Sequence, residues 1–174
     1  MIISVDELLT MPEFSGTSGA SLKRKLDGVE SLIRSYTNNN FQNRAKRFTA
    51  AAVGGVLHGV CTAIKTGDTV QITESVNEGL YVVTNVSGGC TMLDAELTDA
   101  PHNLMTKVEY PAAVVDGVVN LLAWDVKNRA KVGVKSETLS RHSVTYYDQD
   151  ANNQLMGYPV SLLGFLKPFV KARF

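Results

Sequence analysis

The sequence predicts an α+β protein with helical segments at both ends and a strand-rich stretch between them, read as an antiparallel small barrel or curled sheet. Three observations carry this. Leu22, Leu26, Val29, Ile33 and Tyr36 recur at helical period. From about Arg44 to Tyr110 that period disappears while Val, Thr and Gly rise. Pro111 then opens a second periodic apolar run. With 174 residues, 44% hydrophobic and 20% charged, the chain can bury one sizeable core, which excludes a wholly disordered polypeptide.

Ser4-Val5-Asp6-Glu7 is a capping box, so a short helix is expected to run to about Met11 and stop at Pro12. Residues 14–19 read as a loop. The long helix over 22–36 should end at Asn38-Asn39-Asn40, because Asn tolerates the left-handed conformation of a helix C-terminus. Strands are expected at Arg44–Ala52, Gly55–Ala63, Thr69–Glu74, Leu80–Val86, Thr91–Leu93 and Thr106–Glu109. Gly54-Gly55, Gly67-Asp68, Asn77-Glu78-Gly79 and Gly88-Gly89 supply the turns between them. The helix after Pro111 carries Val115, Val118, Leu122 and Val126 on one stripe, with Gly117 allowing close approach of another helix. Val134–Tyr147 reads as extended. Tyr158-Pro159 should open a last helix, ended or kinked by Pro168.

Lys plus Arg and Asp plus Glu both number 17, and a net charge of zero argues against a protein whose main task is gripping nucleic acid or an anionic membrane. The charges are nonetheless in blocks. Residues 21–47 carry seven bases against Asp27 and Glu30, while residues 48–110 carry seven acids against Lys65 and Lys107. Residues 151–174 carry Lys167, Lys171 and Arg173 and no acid. Opposed blocks suit contact with copies of the same chain or with a charged partner; solvated faces are the plainer explanation.

Little in the sequence suggests chemistry. Cys61 and Cys90 form no CxxC and are expected as buried free thiols. His58, His102 and His142 have no second ligand at metal spacing. Neither a nucleophile elbow nor a phosphate loop is present. Asp94, Glu96 and Asp99 lack the order of a calcium loop and read as a solvated acidic loop. Arg44, Lys46 and Arg47 beside Phe41 and Phe48 could form a nucleic-acid patch, or a strand with bases on one face. No enzyme and no cofactor is expected. The acidic N-terminus lacks the bases of a signal peptide, and no apolar run is long enough to span a membrane.

Three regions of the chain resemble the head–tail connector (adaptor, head-completion) proteins of tailed phages. They are the N-terminal helices with Tyr36 and Phe41; the helix 111–130 running into Lys135-Ser136-Glu137 and on through Leu139, Ser143, Val144 and Tyr146; and the end from Tyr158-Pro159 to Phe169 with its basic, aromatic finish. Together they cover about 100 of the 174 residues. The resemblance implies a connector-like small α-helical bundle formed by 1–43 and 111–174, with 44–110 as an inserted β-rich subdomain. It also implies a structural virion protein of the neck, assembled in the host bacterial cytoplasm. Such a protein forms a homo-oligomeric ring, twelve-fold by resemblance, between the portal and the next neck or tail protein, with DNA passing through without sequence-specific binding. Lys167, Phe169, Lys171, Arg173 and Phe174 would then contact the portal. Lys23, Arg24, Lys25, Arg44, Lys46, Arg47, Lys135, Glu137, Arg141 and Tyr146 are the expected subunit contacts. The alternatives are another neck or tail protein, such as a stopper or tail-completion protein with the barrel as its main module, or a nucleic-acid-binding module.

Overall fold

A computed structural model describes residues 1–128, 136–139, 142–145, 154–155 and 157–172. The chain divides into two compact units, Met1–Ile2 with Asn39–Tyr110, and Ile3–Asn38 with Pro111–Phe174.

The first unit is a six-stranded antiparallel barrel. Its strands are β1 (Gln42–Val53), β2 (Val56–His58), β3 (Thr69–Thr73), β4 (Gly79–Ser87), β5 (Cys90–Leu93) and β6 (Ala100–Val108). They pair in the order β1-β2-β5-β4-β3-β6, and β1 closes on β6. Closure removes every free sheet edge. Alternation fills the interior: Ala50 and Ala52 from β1, Val70 and Ile72 from β3, Val83 from β4 and Met105 from β6 are buried together with Leu57, Ile64 and Leu97. Two connections are two-residue Gly-Gly turns. Gly54 and Gly55 (φ 59° and 83°) join Val53 to Val56, and Gly88 and Gly89 (φ 59° and 77°) join Ser87 to Cys90. Positive φ at both central positions matches the right-handed twist of a hairpin, and glycine adopts it without steric cost.

The register of β1 against β6 shifts twice, between Asn43 and Arg47 and between Ala50 and Ala52. Pro101 lies on β6 at the second shift, where its missing N–H breaks no regular ladder. The first shift puts Arg44, Ala45 and Lys46 on a bulge of β1.

In the second unit, α1 (Val5–Leu9) is capped by Ser4, whose Oγ accepts the Glu7 N–H at 3.1 Å. After a 3-10 turn at Pro12–Phe14, α2 (Gly19–Thr37) buries Leu22, Leu26, Val29 and Ile33. It ends at Asn38, which is left-handed at φ 48° and ψ 37°. In α3 (Ala112–Asn128) the buried line is Val114, Val118, Leu121, Leu122 and Asp125, so the stripe sits one residue from the expected Val115. Gly117 makes room for Phe165: a Cβ on Gly117 would stand 2.5 Å from that ring. The close approach is thus to an aromatic of the C-terminal segment.

The fold class differs from the expected small α-helical bundle with an inserted antiparallel β subdomain. The described residues are sheet-rich, with the six-stranded barrel in one unit and three α-helices in the other. Two barrel strands are much longer than their sequence signals: β1 reaches from Gln42 to Val53, and β6 begins at Ala100 where only Thr106–Glu109 had strand character, whereas the expected strand Gly55–Ala63 is cut to Val56–His58. The outer segments hold less α-helix than a bundle needs. Tyr158–Pro159 (β10) pairs with Gln154–Leu155 (β9), and the expected last helix, Val160–Phe169, is a 3-10 helix containing Pro168. Pro168 lacks an N–H and its ring crowds the preceding turn, so it cannot propagate an α-helix there. Within the expected extended stretch, Ser136–Leu139 (β7) and His142–Thr145 (β8) form an antiparallel hairpin.

Candidate functional site

The basic block of residues 21–47 is divided between the two units, so its bases do not form one patch within either. In the helical unit Lys23 is exposed and pairs with Asp27 one turn on at 3.2 Å. Arg24 is exposed without an ion pair among the described residues. Lys25 is committed internally, its ammonium bonded to the buried carboxylate of Asp125 on α3. In the barrel Lys46 reaches Glu109 Oε1 at 2.6 Å, while Arg44 and Arg47 are exposed and unpaired among the described residues.

Among the expected portal contacts, Lys167 is exposed on the 3-10 helix and Phe169 is half-buried. The chain beyond them is held: the Lys171 N–H donates to Thr37 O at 2.8 Å, and Asn38 Nδ2 donates to Ala172 O at 3.0 Å. The tail therefore lies on the C-terminus of α2 through Ala172. Lys135, Arg141, Tyr146, Arg173 and Phe174 lie outside the described residues, and Glu137 is described only as a strand position opposite Val144.

The barrel separates its charges end to end. At one end β1 begins, β6 finishes and β3 begins, since Gln42 and Thr69 both pair with Val108. Here lie Arg44, Lys46, Arg47, Lys107 and, in the turn before β3, Lys65. The two acids at this end are neutralised: Asp68 pairs with Lys107 at 2.7 Å, and Glu109 pairs with Lys46 and stands 3.7 Å from Lys107. Hydrogen bonds from Asn43 Nδ2 and Lys46 Nζ, with the charges of Lys46 and Lys107 behind them, hold the Glu109 pKa below its ordinary 4.5 against the opposing effect of burial.

At the opposite end lie the Gly54–Gly55 turn, the 74–78 turn and the 94–99 loop. Glu74, Glu78, Asp94, Glu96 and Asp99 are all exposed there. The three connections are bonded to one another. Asp99 Oδ1 accepts the Gly54 N–H at 2.8 Å, Gly55 bridges to Leu97, and Asn77 exchanges 2.8 Å bonds with the backbone of Thr98. Beneath them the fully buried Asn103 accepts from Ser75 Oγ and Asn77 Nδ2 and donates to Ala50 O. The acids Asp94 and Asp99 also cap turns, as Asp94 Oδ1 accepts the Val82 N–H at 2.9 Å.

No protein-family model matches the chain, and no curated protein matches it either.

Among the described residues no group of three or more His, Cys, Asp or Glu could hold a metal ion, and no described helix is long and apolar enough to cross a membrane. Cys61 and Cys90 are free thiols but half-buried rather than buried; Cys90 Sγ lies 3.8 Å from His58 Nδ1 across β5 and β2. His102 Nε2 lies 3.5 Å from Glu74 on the surface. Two features escaped the sequence reading. The Asn43–Lys46–Glu109–Lys107–Asp68 cluster joins residues up to 66 apart in sequence, so no local spacing could mark it. Asn77 sits in a segment read as a turn, where Asn is unremarkable, and Asn103 between two expected strands, in a stretch given no element.

Proposed function

We propose that this chain is a structural, non-enzymatic protein of the tailed-phage neck, working by binding copies of itself and the portal as a ring that lets DNA pass. The carrying observation is the β7–β8 hairpin. It is built from the segment that resembles the connector proteins, in the register Ser136↔Thr145 to Leu139↔His142. Among the described residues neither strand pairs with a third. A two-stranded hairpin by itself is at best marginal in water, and among the described residues no strand pairs with either edge, which leaves both as templates for an incoming strand. An assembly arm that adds to the sheet of a neighbour accounts for both properties. On this reading the protein belongs to the virion neck and is assembled in the bacterial cytoplasm.

The closed barrel favours a second reading within the same class, a stopper or tail-completion protein in which the barrel is the main module. Its interior is packed with side chains, so DNA would pass between subunits, not through a barrel.

Negative-stain imaging of the purified chain, with and without its portal, tests the proposal. The wild type should form rings alone or on the portal. Deleting 136–145 should abolish them while the barrel melts as before. Rings that persist without the hairpin would remove the observation on which the reading stands, and particles that retain genomes and acquire tails without this protein would refute it.

A further inference from the structure

We propose that the Gly54–Gly55 end of the barrel docks the Arg44–Arg47 bulge of a second copy of this chain, barrel to barrel and head to tail; this deepens the assembly reading above and rests on it. A closed barrel offers no strand edge, so its contacts must be made by side chains on its wall or its ends. The end in question is suited to a contact. Val76 is 77% exposed and Val53 52% exposed, the two most exposed large apolar side chains described in the chain. Both sit at this end, at the tip of the 74–78 turn and at the Gly-Gly turn. Glu74 and Glu78 flank Val76 in the turn, and Glu96 lies against Gly55, beside Val53. The loops are cross-bonded through Asn77 and Asn103, so the surface is ordered before a partner arrives, which lowers the entropic cost of docking.

The occupant follows from charge. The barrel carries every one of its bases at the other end, and after the internal pairs Lys46–Glu109 and Lys107–Asp68 are set aside, Arg44, Arg47 and Lys65 remain without an acid among the described residues, the two arginines together on the bulge. Their guanidinium groups can bind carboxylates through paired N–H donors, and their aliphatic stems, with exposed Ala45 between, match Val53 and Val76. The two surfaces differ, so the contact is heterologous: each copy uses one end to receive and the other to insert. Repetition then closes into a ring or runs on as a filament.

Association of the full chain is measured by sedimentation velocity at low and high salt. R44E/R47E and E74K/E78K/E96K leave both internal ion pairs and the turn-capping Asp94 and Asp99 untouched. Each variant should associate about tenfold or more weakly than wild type, and an equimolar mixture of the two should recombine. Raising the salt should weaken the wild-type contact. Should a reversal fail to fold, R47Q and E78Q replace it, and their combined loss should be smaller than the sum of the single losses. Assembly that ignores both charge changes overturns this interface and leaves the neck reading standing. A chain that stays single at every concentration, with variants that fail to recombine, overturns this interface, while the neck reading falls only if no ring forms on the portal either. If R44E/R47E abolishes DNA retardation but not self-association, the bulge is a phosphate contact and the interface is wrong.

Discussion

Lys46 Nζ stands 2.6 Å from Glu109 Oε1, and this ion pair spans the β1–β6 seam that closes the barrel. Asn43 Nδ2 donates to the other oxygen, Oε2, at 2.7 Å. The carboxylate thus bridges the two ends of the bulge that carries Arg44. It restores a link across the seam where the Asn43–Arg47 shift interrupts the ladder.

A pH dependence follows from the lowered Glu109 pKa. A carboxyl whose folded pKa lies below its unfolded value contributes stability that is fully present above the ordinary 4.5 and is lost as pH falls through the folded value. The side chain is 36% exposed, so solvent screening keeps the contribution small, about 1 kcal/mol or less. E109Q should therefore melt a few degrees below wild type at pH 7, and the gap should narrow as pH falls below 4.5. Thermal melts across pH 3–8 make the comparison. A gap between the two proteins that stays constant down to pH 3 would show that Glu109 acts through packing and not charge.

Asn103 gives a larger prediction. It is fully buried, and its amide serves Ser75, Asn77, Ala50 and Ala100 at once. N103A would leave the Ala50 carbonyl and part of the Asn77 amide unpaired in the interior, at about 1–3 kcal/mol for each group. We expect a loss of about 3 kcal/mol in denaturant unfolding. Hydrogen exchange should quicken first at Asn77 and Thr98, before the β1–β6 seam is affected. N103L, of similar volume, should do no better, because the orphaned partners remain. Unchanged exchange in the 94–99 loop would show that Asn103 does not hold the three connections together.

The sequence announced the parts governed by local rules. Ser4 and Asn38 act as caps because cap geometry is set by one residue and its immediate backbone, and both Gly-Gly turns are legible because only glycine takes positive φ twice running without cost. Val70 and Ile72 alternate visibly and are buried. The balance between helix and sheet was less legible. Val160–Phe169 is rich in Leu and Phe, which suit an α-helix, yet it forms a 3-10 helix; Pro168 excludes an α-helical bond only at its C-terminal end, and the rest of the segment carries no sequence mark of the tighter form. β6 looked like a four-residue strand because Pro101 and Asn103 interrupt its apolar pattern; one occupies a register shift and the other a buried polar network, and neither can be recognised before the partner strand is known. The basic block read as one feature because its residues are contiguous in sequence. Folding divides it at Asn38–Asn39, giving Lys25 to Asp125 and Lys46 to Glu109 and leaving Arg44 and Arg47 exposed.

The C-terminal tail offers a test of whether it is already placed before any partner binds. Asn38 has two separable roles: its left-handed backbone ends α2, and its side chain holds the Ala172 carbonyl at 3.0 Å. N38G keeps the first and removes the second. N38A strains the backbone at φ 48° and removes both. N38G should leave the melting temperature near wild type while exchange at the Lys171 amide, which donates to Thr37 O, speeds several-fold. N38A should add a loss of about 1 kcal/mol from the strained cap. Limited proteolysis after Lys171 gives an independent reading, and that site should be cut faster in either variant. If the Lys171 amide exchanges equally fast in all three proteins, the Ala172 bond is not what fixes the tail, and the Lys171–Thr37 backbone contact holds it alone.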